Sequence, residues 1–267
     1  MTTKIFRKYT QMLSKRRKFV ITSLALSLGF LGINFIDNYY RFWVIGGLSI
    51  LTILLFAWSL YEGLGIDATL LTLVLAPIFT LGVGLFWFLL PTTIFARIPI
   101  VVLYGVGVYA LCLTANIYTI SAIRTIALAR AAKGVGFVLT LLTFFLVFDA
   151  ILSLRSPIWI TVPLSVIGSF PLFLQGLWTS SLEKYLDRHI LVNAAFFSLG
   201  IGEIALLLYF WPVTVVVGSL FLTIGVYMLL GLGQANLEGR LFKATIREYL
   251  TIGIVVFITM FFATHWG

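Results

Sequence analysis

Charge is what this chain lacks. Asp, Glu, Lys and Arg make up 10% of it, against about 25% in a soluble globular domain. Cysteine is nearly absent. Cys112 stands alone in an apolar run, so no intrachain disulfide and no thiolate metal cluster can form, and we read it as a small packing residue. There are two histidines, His189 and His265. They are expected at opposite membrane faces and cannot share a metal. No HExxH is present. GVGV at 105–108 and GIGE at 200–203 lack the lysine and strand context of a phosphate loop. Lys243 precedes the last apolar run, so a retinal Schiff base inside it has no support. No metal, no cofactor, no catalytic residue set and no nucleic-acid partner is expected.

Apolar sequence fills the space that charge leaves. The chain is 61% hydrophobic, with a mean hydropathy of +1.11, which marks an integral membrane protein. A spanning helix needs about 20 apolar residues. Nine stretches qualify: 19–36, 42–61, 68–90, 99–119, 135–154, 158–178, 190–210, 213–232 and 249–266. Two long apolar runs must fold back, at Arg155–Ser156–Pro157 and at Trp211–Pro212, because proline disfavours helix in the residue before it. No folded soluble domain fits between the spans.

Basic residues orient the spans. With the N-terminus inside, all but Arg41, Arg97 and Arg155 of the 18 lysines and arginines fall on the inner side. This predicts a multi-pass protein of the cell membrane, N-terminus cytoplasmic and C-terminus outside. The first span reads as a retained signal anchor. Before it, residues 1–17 carry Ile5, Phe6, Tyr9, Met12 and Leu13 among basic residues. That pattern predicts an interfacial helix on anionic lipid headgroups. A second short amphipathic helix is expected over 233–248, with Leu237, Leu241 and Ile246 toward lipid. Trp43, Trp159, Trp178, Trp211 and Trp266 are expected in the interfacial belts.

Two stretches repeat. LVLAPIFTLGVG at 73–84 and LVNAAFFSLGIG at 191–202 share Leu73/Leu191, Val74/Val192, Ala76/Ala194, Phe79/Phe197, Leu81/Leu199, Gly82/Gly200 and Gly84/Gly202. The match argues for duplication. Weaker pairs extend it: Gly105/Gly225 and Ala115–Asn116/Ala235–Asn236 downstream, Leu55–Phe56/Leu172–Phe173 and Leu60/Leu177 upstream. The expected fold is therefore all-α: a polytopic bundle of nine transmembrane helices. Four-helix repeat A covers 18–120 and repeat B covers 134–240. A basic cytoplasmic loop, 121–133, joins them, and 241–267 supply the ninth helix. Four is even, so the repeats are parallel, about an axis along the membrane normal.

Asp149 and Glu203 lie inside spans, both about 20 Å above the inner edge. Intramembrane acids are costly and are functional candidates by default. They could share a proton or cation; alternatively Asp149 pairs with an outer arginine and Glu203 is a hydrogen-bonded core group. Asn116, Asn193, Gln175 and Asn236 are expected to cap or bridge helices. Ala76, Thr80 and Gly84, like Ala194, Ser198 and Gly202, are spaced by four and form one stripe each. Small stripes let backbones approach, and helix three against helix seven is the simplest pairing. Three functions fit. One is a small-molecule or ion permease, to which Pro77, Pro163 and Pro171 also point. Another is a non-catalytic module packing with a membrane-protein partner or another copy of itself. The third is a membrane-embedded enzyme acting on lipid-linked substrate.

Overall fold

The computed structural model describes residues 14–37, 39–61, 64, 68–89, 94–122, 127–183 and 185–264. Among them are nine α-helices and no strand. We number them α1 (Lys15–Gly32), α2 (Arg41–Leu60), α3 (Leu75–Trp87), α4 (Ile94–Ser121), α5 (Ala129–Ser153), α6 (Ile158–Ser181), α7 (Arg188–Tyr209), α8 (Val215–Leu237) and α9 (Lys243–Ala263). A 3₁₀ stretch, Ala68–Leu73, leads into α3. Eight helices are long and apolar enough to cross a membrane. The other is α1, whose first turn holds Lys15, Arg16, Arg17 and Lys18. Residues 1–13 of the expected interfacial segment lie outside the described residues, and Lys15 to Arg17 belong to α1.

The turns fall where the sequence breaks. Arg155 adopts φ +46° between α5 and α6. Asp187 caps α7 by accepting from the His189 backbone N–H at 3.2 Å, which supplies one of the helix's orphan donors with a partner. Thr214 does the same for α8 through Val217, at 3.4 Å. The separate helix expected over 233–248 does not form. Its first residues finish α8, Gly239 at φ +67° turns the chain, and Lys243 starts α9. Glycine takes that left-handed turn without steric cost. Pro163 and Pro171 lie inside a continuous α6, so neither breaks its helix.

The helix neighbours in the two halves correspond pair for pair. In the first, α1 packs on α4 and α2, α3 on α2 and α4, and α2 on α4. In the second, α5 packs on α8 and α6, α7 on α6 and α8, and α6 on α8. The halves join where α5 lies against α3 and α4, and α9 lies against α8. Burial keeps one register. Thr22, Leu26 and Phe30 of α1 and Ile33 just past its end are buried, as are Thr140, Phe144, Phe148 and Ile151 of α5. Each pair stands at the spacing that relates Ala76 to Ala194. The same spacing pairs Val108 with Val226 and Cys112 with Leu230, all four buried. Gly105 and Gly225 do not correspond. A Cβ on Gly105 would meet Ser27 of α1, whereas one on Gly225 would meet Ile204 and Ile201 of α7. Gly107, facing Phe79 of α3, is the counterpart of Gly225.

Candidate functional site

The small-residue stripes are buried, all six residues, and each inside its own half. A Cβ on Gly84 would lie 2.5 Å from Ile45 Cγ2 of α2. One on Gly202 would lie 2.5 Å from Val166 Cγ2 of α6. These two glycines let α3 approach α2, and α7 approach α6, more closely than any side chain would permit. The expected pairing of helix three with helix seven is thus corrected: α3 packs on α2, α5 and α4, and α7 packs on α6 and α8. Thr80 adds polar ties. Its hydroxyl is 3.1 Å from Thr52 Oγ1 and 2.9 Å from Tyr104 Oη, linking α2, α3 and α4. Ser49 donates to the Pro77 carbonyl at 2.9 Å. Ser198 donates within its own helix, to Ala194 O at 2.7 Å.

The two acids face different surroundings. Asp149 is 2% exposed, in the last turns of α5. Ser219 of α8 donates to its Oδ1 at 3.4 Å, and shares that one proton with Val216 O at 3.0 Å. Glu203 is exposed on α7 and has no hydrogen-bond or ion-pair partner among the described residues. The exposed apolar residues on this helix are Leu191, Val192, Phe196, Leu199, Leu206, Leu207 and Tyr209, with Phe210 just past its end, and Val192, Phe196, Leu199, Leu206 and Phe210 share one face with Glu203. Their spacing alternates between four and three, the period of a seam that packs on another helix. Glu203 sits in the middle of that seam, about 9 Å inside the C-terminal end of α7.

The N-terminal end of α5 is tied by charge to the C-terminal ends of α6 and α8. Lys133 of α5 donates to the Ser180 carbonyl of α6 and to Glu238 Oε1, the latter at 3.1 Å. Arg240 also pairs with Glu238. Gln234 Nε2 donates to Gly176 O at 2.7 Å. Gln175, expected to cap or bridge, is buried with its Oε1 unpartnered. Asn116 and Asn193 are half-buried and Asn236 is exposed. Trp43 and Trp159 are exposed near the N-termini of α2 and α6, and Trp211 is half-buried. Trp178 is fully buried and donates to Glu183 O at 2.9 Å, so it is a core residue and not a belt residue. His265 and Trp266 lie outside the described residues.

Three clefts matter here. One of about 370 Å³ separates the halves, lined by apolar residues of α2, α3, α5 and α6, among them Leu85, Val147 and Gly168. One of about 500 Å³ runs along α1 and α4, over Ser27 and Gly105. One of about 470 Å³ opens between Arg155, Trp211 and Thr214. Leu152 and Val215 also line it, Leu152 one turn beyond Asp149 toward the end of α5 and Val215 one turn before Ser219 at the start of α8. Among the described residues no group of His, Cys, Asp or Glu could hold a metal ion.

Helix lengths, apolar surfaces and buried hydroxyl ties together define a multi-pass membrane helix bundle. Residues 21–263 match the family described as a protein of unknown function (DUF5656), and the chain belongs to that family. No curated protein and no solved structure matches it.

Proposed function

We propose that this chain is a non-catalytic membrane module that packs side by side with protein in the bilayer. In this reading it is built from two parallel copies of one four-helix unit, α1–α4 and α5–α8. The paired neighbours and shared burial register support the duplication. The basic residues place its N-terminus in the cytoplasm and its C-terminus outside the cell membrane, with anionic headgroups at the inner face.

The observation that carries the reading is Glu203 on its seam. A carboxyl turned to hydrocarbon costs ~2.5 kcal/mol or more near the bilayer centre. Apolar side chains alone would not identify a contact, since lipid covers them as well as protein does. A lone acid at heptad spacing among them does, because a covering helix removes it from lipid and offers hydrogen-bonding groups. The experiment is a photoreactive residue in place of Phe196, activated in the membranes of the organism that makes the protein. The reading expects a protein adduct. Lipid adducts alone would contradict it.

A permease remains the second reading, favoured by the outer cleft one turn above Asp149 and Ser219. The shared-acid form of it loses support, because Asp149 turns inward between α5 and α8 while Glu203 turns outward. Asp149→Asn should alter uptake or ion-dependent stability if that cleft is an entrance. An unchanged profile would remove the permease.

A further inference from the structure

We infer that the partner at the Glu203 seam is a second copy of this chain, its α1 laid against α7 and α8 as α5 is laid against α3 and α4. This deepens the reading above and rests on it. Two faces at equivalent positions of the halves differ, one covered and one open.

The covered face is on α3 and α4. Leu75, Leu111, Thr114 and Tyr118 are buried there. Tyr118 Oη donates to the Ala132 carbonyl of α5 at 2.9 Å. A Cβ placed on Gly82 would lie 3.0 Å from the Leu146 Cβ of α5. At the constant spacing, the counterparts of Leu75, Ile78, Leu81, Gly82 and Leu85 are Asn193, Phe196, Leu199, Gly200 and Glu203. Phe196 is 67% exposed and Leu199 54%. Leu229, Leu232 and Asn236, the counterparts on α8, are half-buried or exposed. The α9 helix does not close this face. It packs on α8 through Gly231 against Tyr249 and Gly253 against Met228, away from the seam.

The complement is also present and also open. The α5 helix docks with Leu139, Thr143, Leu146 and Ala150, all buried. Their counterparts on α1 are Ile21, Ala25, Leu28 and Gly32. Ile21 is 43% exposed and Leu28 65%, Ala25 is exposed and Gly32 half-buried. The inner end departs from the pattern. Lys18, where α5 has Gly136, turns inward with its Nζ 5.9 Å from the centre of the Trp58 ring, so the proposed contact begins at Ile21. Both halves of a head-to-tail contact are therefore on one chain's surface. A contact of this type is heterologous, and joins copies in a ring if the rotation closes. At the equivalent position Leu85 is half-buried and lines the cleft between the halves, so the contact shields Glu203 from lipid in part.

Cysteine pairs test it directly. In a Cys112→Ala background, two differently tagged copies carry Leu28→Cys and Gly200→Cys and are co-expressed in the membrane. Leu28 is exposed, and a Cβ on Gly200 meets only Leu229 Cδ1 at 3.8 Å, so both substitutions are compatible with the fold. Gly82→Cys with Leu146→Cys in one chain is the control: their Cβ positions lie 3.0 Å apart, and a small separation of α3 from α5 brings them to the roughly 3.5–4.5 Å of a disulfide. The expected result is a shift of the 29.8 kDa chain to a dimer band for the mixed pair alone. A band from two Gly200→Cys copies, or none while the control pair closes, would overturn the proposal. A foreign protein captured at Phe196 with no mixed disulfide would overturn it and leave the module reading standing. Lipid adducts alone at Phe196 would overturn both.

Discussion

Adding one methyl group to Gly84 should separate α3 from α2. The new Cβ would sit 2.5 Å from Ile45 Cγ2 and 3.1 Å from Cγ1. Ile45 is fully buried and β-branched, and such side chains hold one χ1 rotamer in a helix. It cannot swing aside, so the helices must part. Overpacking of this kind costs ~1–3 kcal/mol. Alanine returns roughly 0.8–1 kcal/mol of helix propensity, so Gly84→Ala should lose up to about 2 kcal/mol and Gly84→Leu more. Gly46 is the control: a Cβ there meets nothing within 4 Å, and Gly46→Ala should be neutral or stabilising. Reversible unfolding in mixed micelles measures both. Ile45→Ala removes the obstructing atoms, and in the double variant the loss should be smaller than the sum of the singles, a coupling that a double-mutant cycle isolates. Gly202→Ala against Val166 should behave alike. Equal stability of Gly84→Ala and Gly46→Ala would refute the close-approach argument.

Further outcomes follow from the same contacts. Asp149→Ala should lose about 0.5–1.5 kcal/mol, the net worth of one hydrogen bond, since Ser219 keeps Val216 O as an acceptor, whereas Glu203→Leu should change the unfolding of the isolated chain by less than about 0.5 kcal/mol; the reverse order would mean the two acids are misplaced. Glu238→Gln should weaken the tie to Lys133 and Arg240 by up to ~1 kcal/mol, an effect that shrinks as salt rises; denaturant midpoints at two ionic strengths read it. A reporter after Gly267 should be outside and one at Lys133 inside; finding both on one side would sink the nine-span topology.

Helix number and turn positions were legible because length and apolar content need no knowledge of neighbours, although only eight of the nine helices are long and apolar enough to cross a membrane. The breaks at Arg155–Pro157 and Trp211–Pro212 fell where the helices end. Facing was not legible. A rise per residue gives depth, so Asp149 and Glu203 came out level, but it gives no direction around the axis. In water the polar face would supply that direction. In a bilayer the lipid face and the core face are equally apolar, so the outward turn of Glu203 and the burial of Trp178 carried no sequence signal. The stripes were readable because small residues serve close packing and lipid does not require them. Their partners were not, since Ile45 and Val166 look like any other apolar residue. Glycine-rich spans also pair Gly105 with Gly225 in sequence, although the two meet different neighbours. The Lys133–Glu238 tie joins residues far apart in the chain and could have been suspected only from the scarcity of acids.

The account stands on the claim that the α7 face is covered in the membrane as the α3 face is. Contact with nitroxide-labelled lipid at single fluorophore sites measures this most directly. Three positions suffice: Leu199 on the α7 seam, Leu146 covered by α3, and Ile254 on the exposed side of α9. In native membranes Leu199 should be as protected from quenching as Leu146, and should become as open as Ile254 once the protein is dispersed to single chains. Leu199 quenched like Ile254 in native membranes would contradict the account.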